Sequence, residues 1–163
     1  MVKVFLKQGD KELSHEFLFS LLNSEYGITA TESDLKKTEH GKPYIENCPV
    51  NFSITHSKGN IAIAFSDSEV GVDEEVVKDS FTARQIFGVT PKNATEYALL
   101  FTKAESLVKY YAGSILLDLK KIDFSDGIVY NGEKIDLNFL TFYKDGLVLT
   151  VATKETSLFV TSL

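Results

Sequence analysis

The chain predicts an α+β fold made of two similar halves, and three observations lead there. Apolar residues alternate with period two in several short stretches, as in half-buried strands. They recur at helical spacing in two longer stretches, and the two kinds of stretch follow one another in the same order twice. That order is strand, helix, strands, then strand, helix, strands, with a divide near Ser66–Glu69. Residues 1–69 are expected to form the N-terminal half and residues 70–163 the C-terminal half. A chain of 163 residues with 44% hydrophobic content suffices for one domain, or for two small halves sharing a core.

Each element has a local reason. Val2, Val4 and Leu6 alternate with outward positions and open the chain as a strand. Glu12 to Asn23 carries Leu13, Phe17, Leu18, Leu21 and Leu22 at helical spacing, and Gly27 supplies a stop. Thr31 to Lys37 is a polar connection or a short helical turn. Gly41-Lys42-Pro43-Tyr44-Ile45 turns into an extended piece, because proline fixes its own φ and keeps Lys42 out of a helix. Val50 to His56 and Ile61 to Phe65 are paired strands joined at Ser57-Lys58-Gly59-Asn60, and Val70 to Asp73 is the next strand. Phe81 to Phe87 is expected to be a short helix closed by Gly88. Thr95 to Tyr111 is the strongest helix, with Leu100, Ala104, Leu107, Val108 and Tyr111 on one stripe and Gly113 as its stop. The rest is expected to be β, with turns at Asp126-Gly127, Asn131-Gly132 and Asp145-Gly146.

Composition narrows the function. The net charge is -6 and Arg84 is the only arginine, so nucleic-acid binding, which needs a clustered basic surface, is disfavoured. No apolar stretch approaches the length of a membrane span, and the alternating N-terminus has no signal-peptide pattern. A lone cysteine, Cys48, excludes an internal disulfide framework and fits a reducing, cytoplasmic setting.

The stretch Val70-Gly71-Val72-Asp73-Glu74-Glu75 carries the chemistry. Acids that directly follow a buried apolar strand are costly without a cation or hydrogen bonds. On a strand, Asp73 and Glu75 point to one side and Glu74 to the other. Glu105, on the strong helix, is followed four residues later by Lys109. Clustered carboxylates suit Mg²⁺, which takes one or two protein ligands plus waters and phosphates. Each residue also has a plainer reading. Glu105 and Lys109 at i, i+4 make an ordinary surface salt bridge. His56 can be a hydrogen-bonded structural histidine, Lys42 a solvated turn residue, and Thr55 and Ser57 turn-satisfying hydroxyls.

Four segments, Gly41-Lys42-Pro43, Asn51-Phe52-Ser53-Ile54-Thr55-His56-Ser57, Val70 to Glu75, and Phe101-Thr102-Lys103-Ala104-Glu105-Ser106-Leu107-Val108-Lys109, stand in an order and spacing that resembles the 4'-phosphopantetheinyl transferases. The resemblance is to the longer, surfactin-synthetase-activating type, whose two α+β halves form an intramolecular pseudo-dimer. It runs from about Gly41 to Gly113 and extends weakly over Phe139 to Ala152, which is similar to that family's closing hairpin. The resemblance implies an enzyme of the holo-[acyl-carrier-protein] synthase kind. Such an enzyme moves the phosphopantetheine arm of coenzyme A onto a serine of an acyl or peptidyl carrier protein, with Mg²⁺, and releases 3',5'-ADP. It implies Asp73, Glu75 and Glu105 as metal ligands, Lys42, Thr55 and His56 as coenzyme A contacts, and Glu105 and Lys109 as catalytic groups. It also implies a monomer with coenzyme A in the cleft between the halves. No long exposed apolar strand is expected to remain for pairing between chains.

The chain departs from the family pattern in places. The family helix reads Trp-x-x-Lys-Glu, whereas Phe101 and Ala104 stand here for the tryptophan and the lysine. Ala104 is expected to be partly buried, so that a lysine placed there would snorkel toward the phosphates. The acid that the family carries shortly after the position of Phe87 is missing from Gly88-Val89-Thr90-Pro91. These losses motivate a second reading, a relative that binds coenzyme A or a carrier protein without efficient turnover.

Overall fold

The computed structural model describes residues 1–163 and is a mixed α+β fold. In chain order it comprises β1 (Val2–Gln8), α1 (Ser14–Tyr26), β2 (Leu35–Lys37), β3 (Pro43–Ile45), β4 (Asn51–Ser57), β5 (Asn60–Ser66) and β6 (Val70–Val76). Then follow α2 (Ala94–Tyr110), α3 (Ile115–Asp118), β7 (Ile122–Asp123), β8 (Val129–Tyr130) and β9 (Glu133–Lys134). The chain closes with β10 (Asn138–Lys144), β11 (Leu147–Thr153) and β12 (Leu158–Ser162).

Two sheets organise the molecule, one in the order β12-β1-β5-β4 and the other in the order β10-β11-β6. In each, the strand before the long helix pairs antiparallel with the second strand of a hairpin, β1 with β5 and β6 with β11. Period-two alternation decides what each face meets. On β1 and β5, Phe5, Ile61, Ile63 and Phe65 face α1, which answers with Phe17, Leu18, Leu21 and Leu22. The alternate residues Val2, Val4, Leu6, Ala62 and Ala64 form a second cluster with Val70, Val72, Leu149 and Val151 of the other sheet. Each fully buried Val, Leu or Phe in these layers contributes about 1.5–3 kcal/mol of transfer free energy. The layers therefore run α1, first sheet, second sheet, α2.

Helix α2 begins at a proper cap. Asn93 Oδ1 accepts from the Glu96 N–H at 2.8 Å, and the Glu96 carboxylate accepts in turn from the Lys92 N–H. The helix lies against β6 at Gly71, where an added Cβ would sit 2.1 Å from the Ser106 carbonyl oxygen and 2.5 Å from the Tyr110 nitrogen. A buried hydroxyl pair, Thr102 with Thr150 at 2.8 Å, ties it to β11. Its other flank packs Ala104, Leu107 and Val108 against Ile122, Tyr130 and Leu137 of the segment formed by α3 and the β7-β8-β9 sheet.

Several expectations need correction. Phe81 to Phe87 is not a helix. Phe81 packs edge-on to Tyr97 at 6.2 Å between ring centres and Phe87 to Phe101 at 5.4 Å, so each aromatic is drawn out to a separate site on α2. Phe87 and Gly88 both take positive φ, 49° and 76°, in a tight turn bridged by Ile86 and Val89, so Gly88 marks a turn and not a helix end. Thr31 to Lys37 contains a 3₁₀ turn, as expected, but ends in β2, which pairs with β3. Residues 115–121, expected to be β, are helical. β12 lies parallel beside β1 in the first sheet. β12 and β10 are also sheet-edge strands, with Phe159 and Tyr143 exposed on them, so unpaired edges do remain. Ala104 is fully buried, not partly, because its neighbours are the apolar side chains of residues 115–137. No helix is long and apolar enough to cross a membrane.

Candidate functional site

The first requirement of a site is that its side chains meet, and most of the candidates do. β6 sends Gly71, Asp73 and Glu75 toward α2, while Val70, Val72 and Glu74 face the layer between the sheets. Asp73 is buried, and its Oδ1 accepts from Lys109 Nζ at 2.7 Å and from Thr55 Oγ1 at 3.0 Å. Lys109 Nζ donates also to the Val72 carbonyl at 3.1 Å, so the lysine lies across the strand end. The salt bridge of Lys109 is therefore with Asp73 and not with Glu105, and the plain i, i+4 reading of the helix pair does not hold. Thr55 is equally committed, since its buried hydroxyl serves Asp73.

Glu105 lies beside this pair. Burial first, and then the charge of Asp73, push its carboxyl up to about 7, with Glu75 adding to the effect and Lys109 opposing it. Repulsion among Asp73, Glu75 and Glu105 is the condition that a divalent cation would relieve. No group of three such side chains is gathered tightly enough to hold a metal ion unaided. A Mg²⁺ ion placed here would need ligand or water oxygens to complete its shell.

A cavity of about 450 Å³ opens from Glu75 and Glu105 along α2. Phe81, Tyr97 and Phe101 give it apolar walls, and Arg84 lies over the Tyr97 ring and donates to its hydroxyl at 2.9 Å. Residues 78–84, with 81–84 expected to be helix, reach this cavity as a loop without regular structure.

The remaining candidates approach from the first half of the chain. Lys42 Nζ donates to the Val70 carbonyl at 2.9 Å and pairs with Glu69. Burial lowers its pKa, and the Glu69 contact offsets part of that. Lys42 is therefore a part-buried, partnered cation and not a solvated turn residue. His56 is exposed at the end of β4, and burial and then the charges of Lys11 and Lys109 lower its pKa. Lys11 was not among the sequence candidates. It precedes α1 as one lysine among many, and no local pattern sets it apart.

Glu74 is the other residue that sequence reasoning passed over. It points away from Asp73, as alternation requires, but into the layer between the sheets and not into water. Neither carboxylate oxygen has a hydrogen-bond partner of normal geometry. Burial and the neighbouring Asp73 push it up to about 7, relieved in part by the nearby Ser57 backbone and Lys109. With a folded value above the unfolded one, folding favours the protonated form, so Glu74 lowers stability as pH rises from about 4.5 through 7. Glu74→Gln is accordingly expected to be near neutral at pH 5 and to stabilise by about 2–3 kcal/mol at pH 8. Denaturant unfolding of both proteins across pH checks this, because the difference curve cancels the parallel titration of Glu105. Equal destabilisation at both pH values would show that Glu74 has a buried partner.

No protein-family model matches the chain. Over 87 residues, half of this chain, it is 34% identical to a Haemophilus influenzae protein bearing the name "Putative 4'-phosphopantetheinyl transferase". The matched stretch is 37% of that protein, so the chain covers well under two thirds of the relative's length.

Proposed function

We propose that this protein transfers the 4'-phosphopantetheine group of coenzyme A to a serine of an acyl or peptidyl carrier protein, with Mg²⁺, releasing 3',5'-ADP. The observation that carries the reading is the contact between halves at Asp73. Thr55 reaches it from β4 and Lys109 from α2, while Lys42 grips the first residue of the same strand. The repeated order β1-β5-β4 and β6-β11-β10 supports an intramolecular pseudo-dimer with coenzyme A in the cleft between its parts.

Asp73, Glu75 and Glu105 would hold Mg²⁺, which supplies charge neutralisation at the pyrophosphate. Lys109 brings an ammonium to the same place, already oriented by Val72 and Asp73, and stabilises charge on the departing phosphate. Glu105, at the mouth of the cavity beside Glu75, would act as Mg²⁺ ligand, as acceptor of the attacking serine's proton, or as both. Lys42 adds a cation for the nucleotide phosphates, and His56, whose pKa is held below its ordinary value, adds a hydrogen-bonding imidazole. The cavity beside Glu75 and Glu105 offers an approach for the serine and for the apolar part of the arm.

The burial of Ala104 favours a second reading. The cation that the family places there is absent, so the protein would bind coenzyme A or a carrier protein with little turnover. Mass spectrometry of an apo carrier protein after incubation with coenzyme A, Mg²⁺ and this protein separates the two. Addition of one phosphopantetheine supports transfer. An unmodified carrier alongside tight coenzyme A binding in calorimetry supports the second reading, and neither binding nor transfer overturns both.

A further inference from the structure

We propose that Glu69 determines ligand affinity by competing, from within the chain, for the Lys42 ammonium. The inference rests on the reading above that Lys42 receives a phosphate of coenzyme A. The Lys42 side chain is only 11% exposed, and two groups occupy it, the Glu69 carboxylate and the Val70 carbonyl. An ammonium has three donors, so at most one is left for a ligand. Glu69 covers the outer side, with 46% of its own side chain exposed, and its Oε1 accepts from the Val70 N–H at 3.2 Å. The carboxylate is thus anchored at the start of β6, yet exposed enough to rotate outward.

The surroundings favour competition over support. Lys42 and Glu69 line one cavity of about 380 Å³ together with Tyr44, Phe52 and Ala112, so an anion that reaches Lys42 from this cavity meets Glu69 as well. Phosphate and carboxylate would then share a single ammonium, and their mutual repulsion subtracts from binding. Without Glu69, a buried ammonium keeps only a carbonyl partner, and an incoming phosphate becomes its sole counter-charge. Glu69 satisfies Lys42 in the free protein at the expense of affinity for the ligand.

The test is calorimetric titration of the full chain with coenzyme A, and with 3',5'-ADP as a probe lacking the arm, in Mg²⁺ at low and moderate salt. Glu69→Gln, Lys42→Ala and the double variant are compared after thermal melts confirm folding, with Lys42→Met as a substitute if the alanine variant unfolds. Glu69→Gln is expected to lower the Kd for both probes about three- to tenfold, the size of a half-exposed charge contact, with the gain shrinking as salt rises. In the Lys42→Ala background the second change should be silent. If Lys42→Ala weakens binding but Glu69→Gln weakens it too, or leaves it unchanged, Glu69 is a brace and the proposal fails while the phosphate role of Lys42 stands. If tightening by Glu69→Gln persists without Lys42, the effect is a general field and the competition is overturned. If neither variant moves binding, the assignment of Lys42 to the phosphates is what fails.

Discussion

Asp73→Asn is expected to abolish phosphopantetheine transfer, with a fall in kcat/KM of about 10²–10³-fold or more, while the protein still folds. Asparagine keeps the shape of the side chain and can still accept from Thr55. It removes the charge that holds Lys109 at 2.7 Å and one of the carboxylates that would face Mg²⁺. Two stability effects oppose each other. Loss of a charge-assisted hydrogen bond costs about 1–3 kcal/mol, while Glu105 is freed from its strongest like-charge neighbour. The Glu105 carboxyl should therefore titrate closer to its ordinary range in the variant, which carboxyl-labelled NMR can follow alongside carrier-protein modification. Wild-type turnover in a folded Asp73→Asn protein would remove the carboxylate cluster as an explanation of activity.

Ala104→Lys carries the largest expected stability cost. Ala104 is fully buried among Leu107, Val108, Ile122, Tyr130 and Leu137, so the introduced ammonium would meet an apolar wall on every side. An unpaired buried charge of this kind costs about 3–5 kcal/mol, which lowers Tm by roughly 10 °C or more in a chain of this size. The variant should gain nothing in coenzyme A affinity, because this flank of α2 faces residues 115–137, whereas Asp73 and Glu75 approach the helix from β6. Thermal unfolding together with transfer kinetics decides the matter. An unchanged Tm with faster transfer would show that the amine finds a route to the site.

Much of this was legible in the sequence where one element answers to one period. The stripe of α2 from Leu100 to Val108, the β4-β5 hairpin and the side-by-side placement of Asp73 and Glu75 follow from spacing alone, whereas Tyr111, expected on that stripe, is exposed at the helix end. What escaped depends on what lies across from an element. Alternation turned Glu74 away from Asp73 correctly, but could not tell that a second sheet covers that face. Phe81 and Phe87 have near-helical spacing, yet each is claimed by a separate ring on α2, so tertiary contacts override the local pattern. The i, i+4 spacing of Glu105 and Lys109 likewise says nothing of Asp73, which arrives from another strand and takes the lysine.

The close approach at Gly71 has a consequence for how mutations in this protein will be interpreted. The gap between β6 and α2 is one hydrogen atom wide there, and Lys109 must span that same gap to reach Val72 and Asp73. A methyl group at position 71 acts as a shim. It lifts the helix along with Glu105 and Lys109, and the lysine cannot lengthen to follow. Gly71→Ala would then be recovered in a screen for inactive variants beside substitutions of the carboxylates themselves, although residue 71 offers no atom for a ligand to touch. Only a comparison of melting temperatures would tell the shim from the loss of a contact.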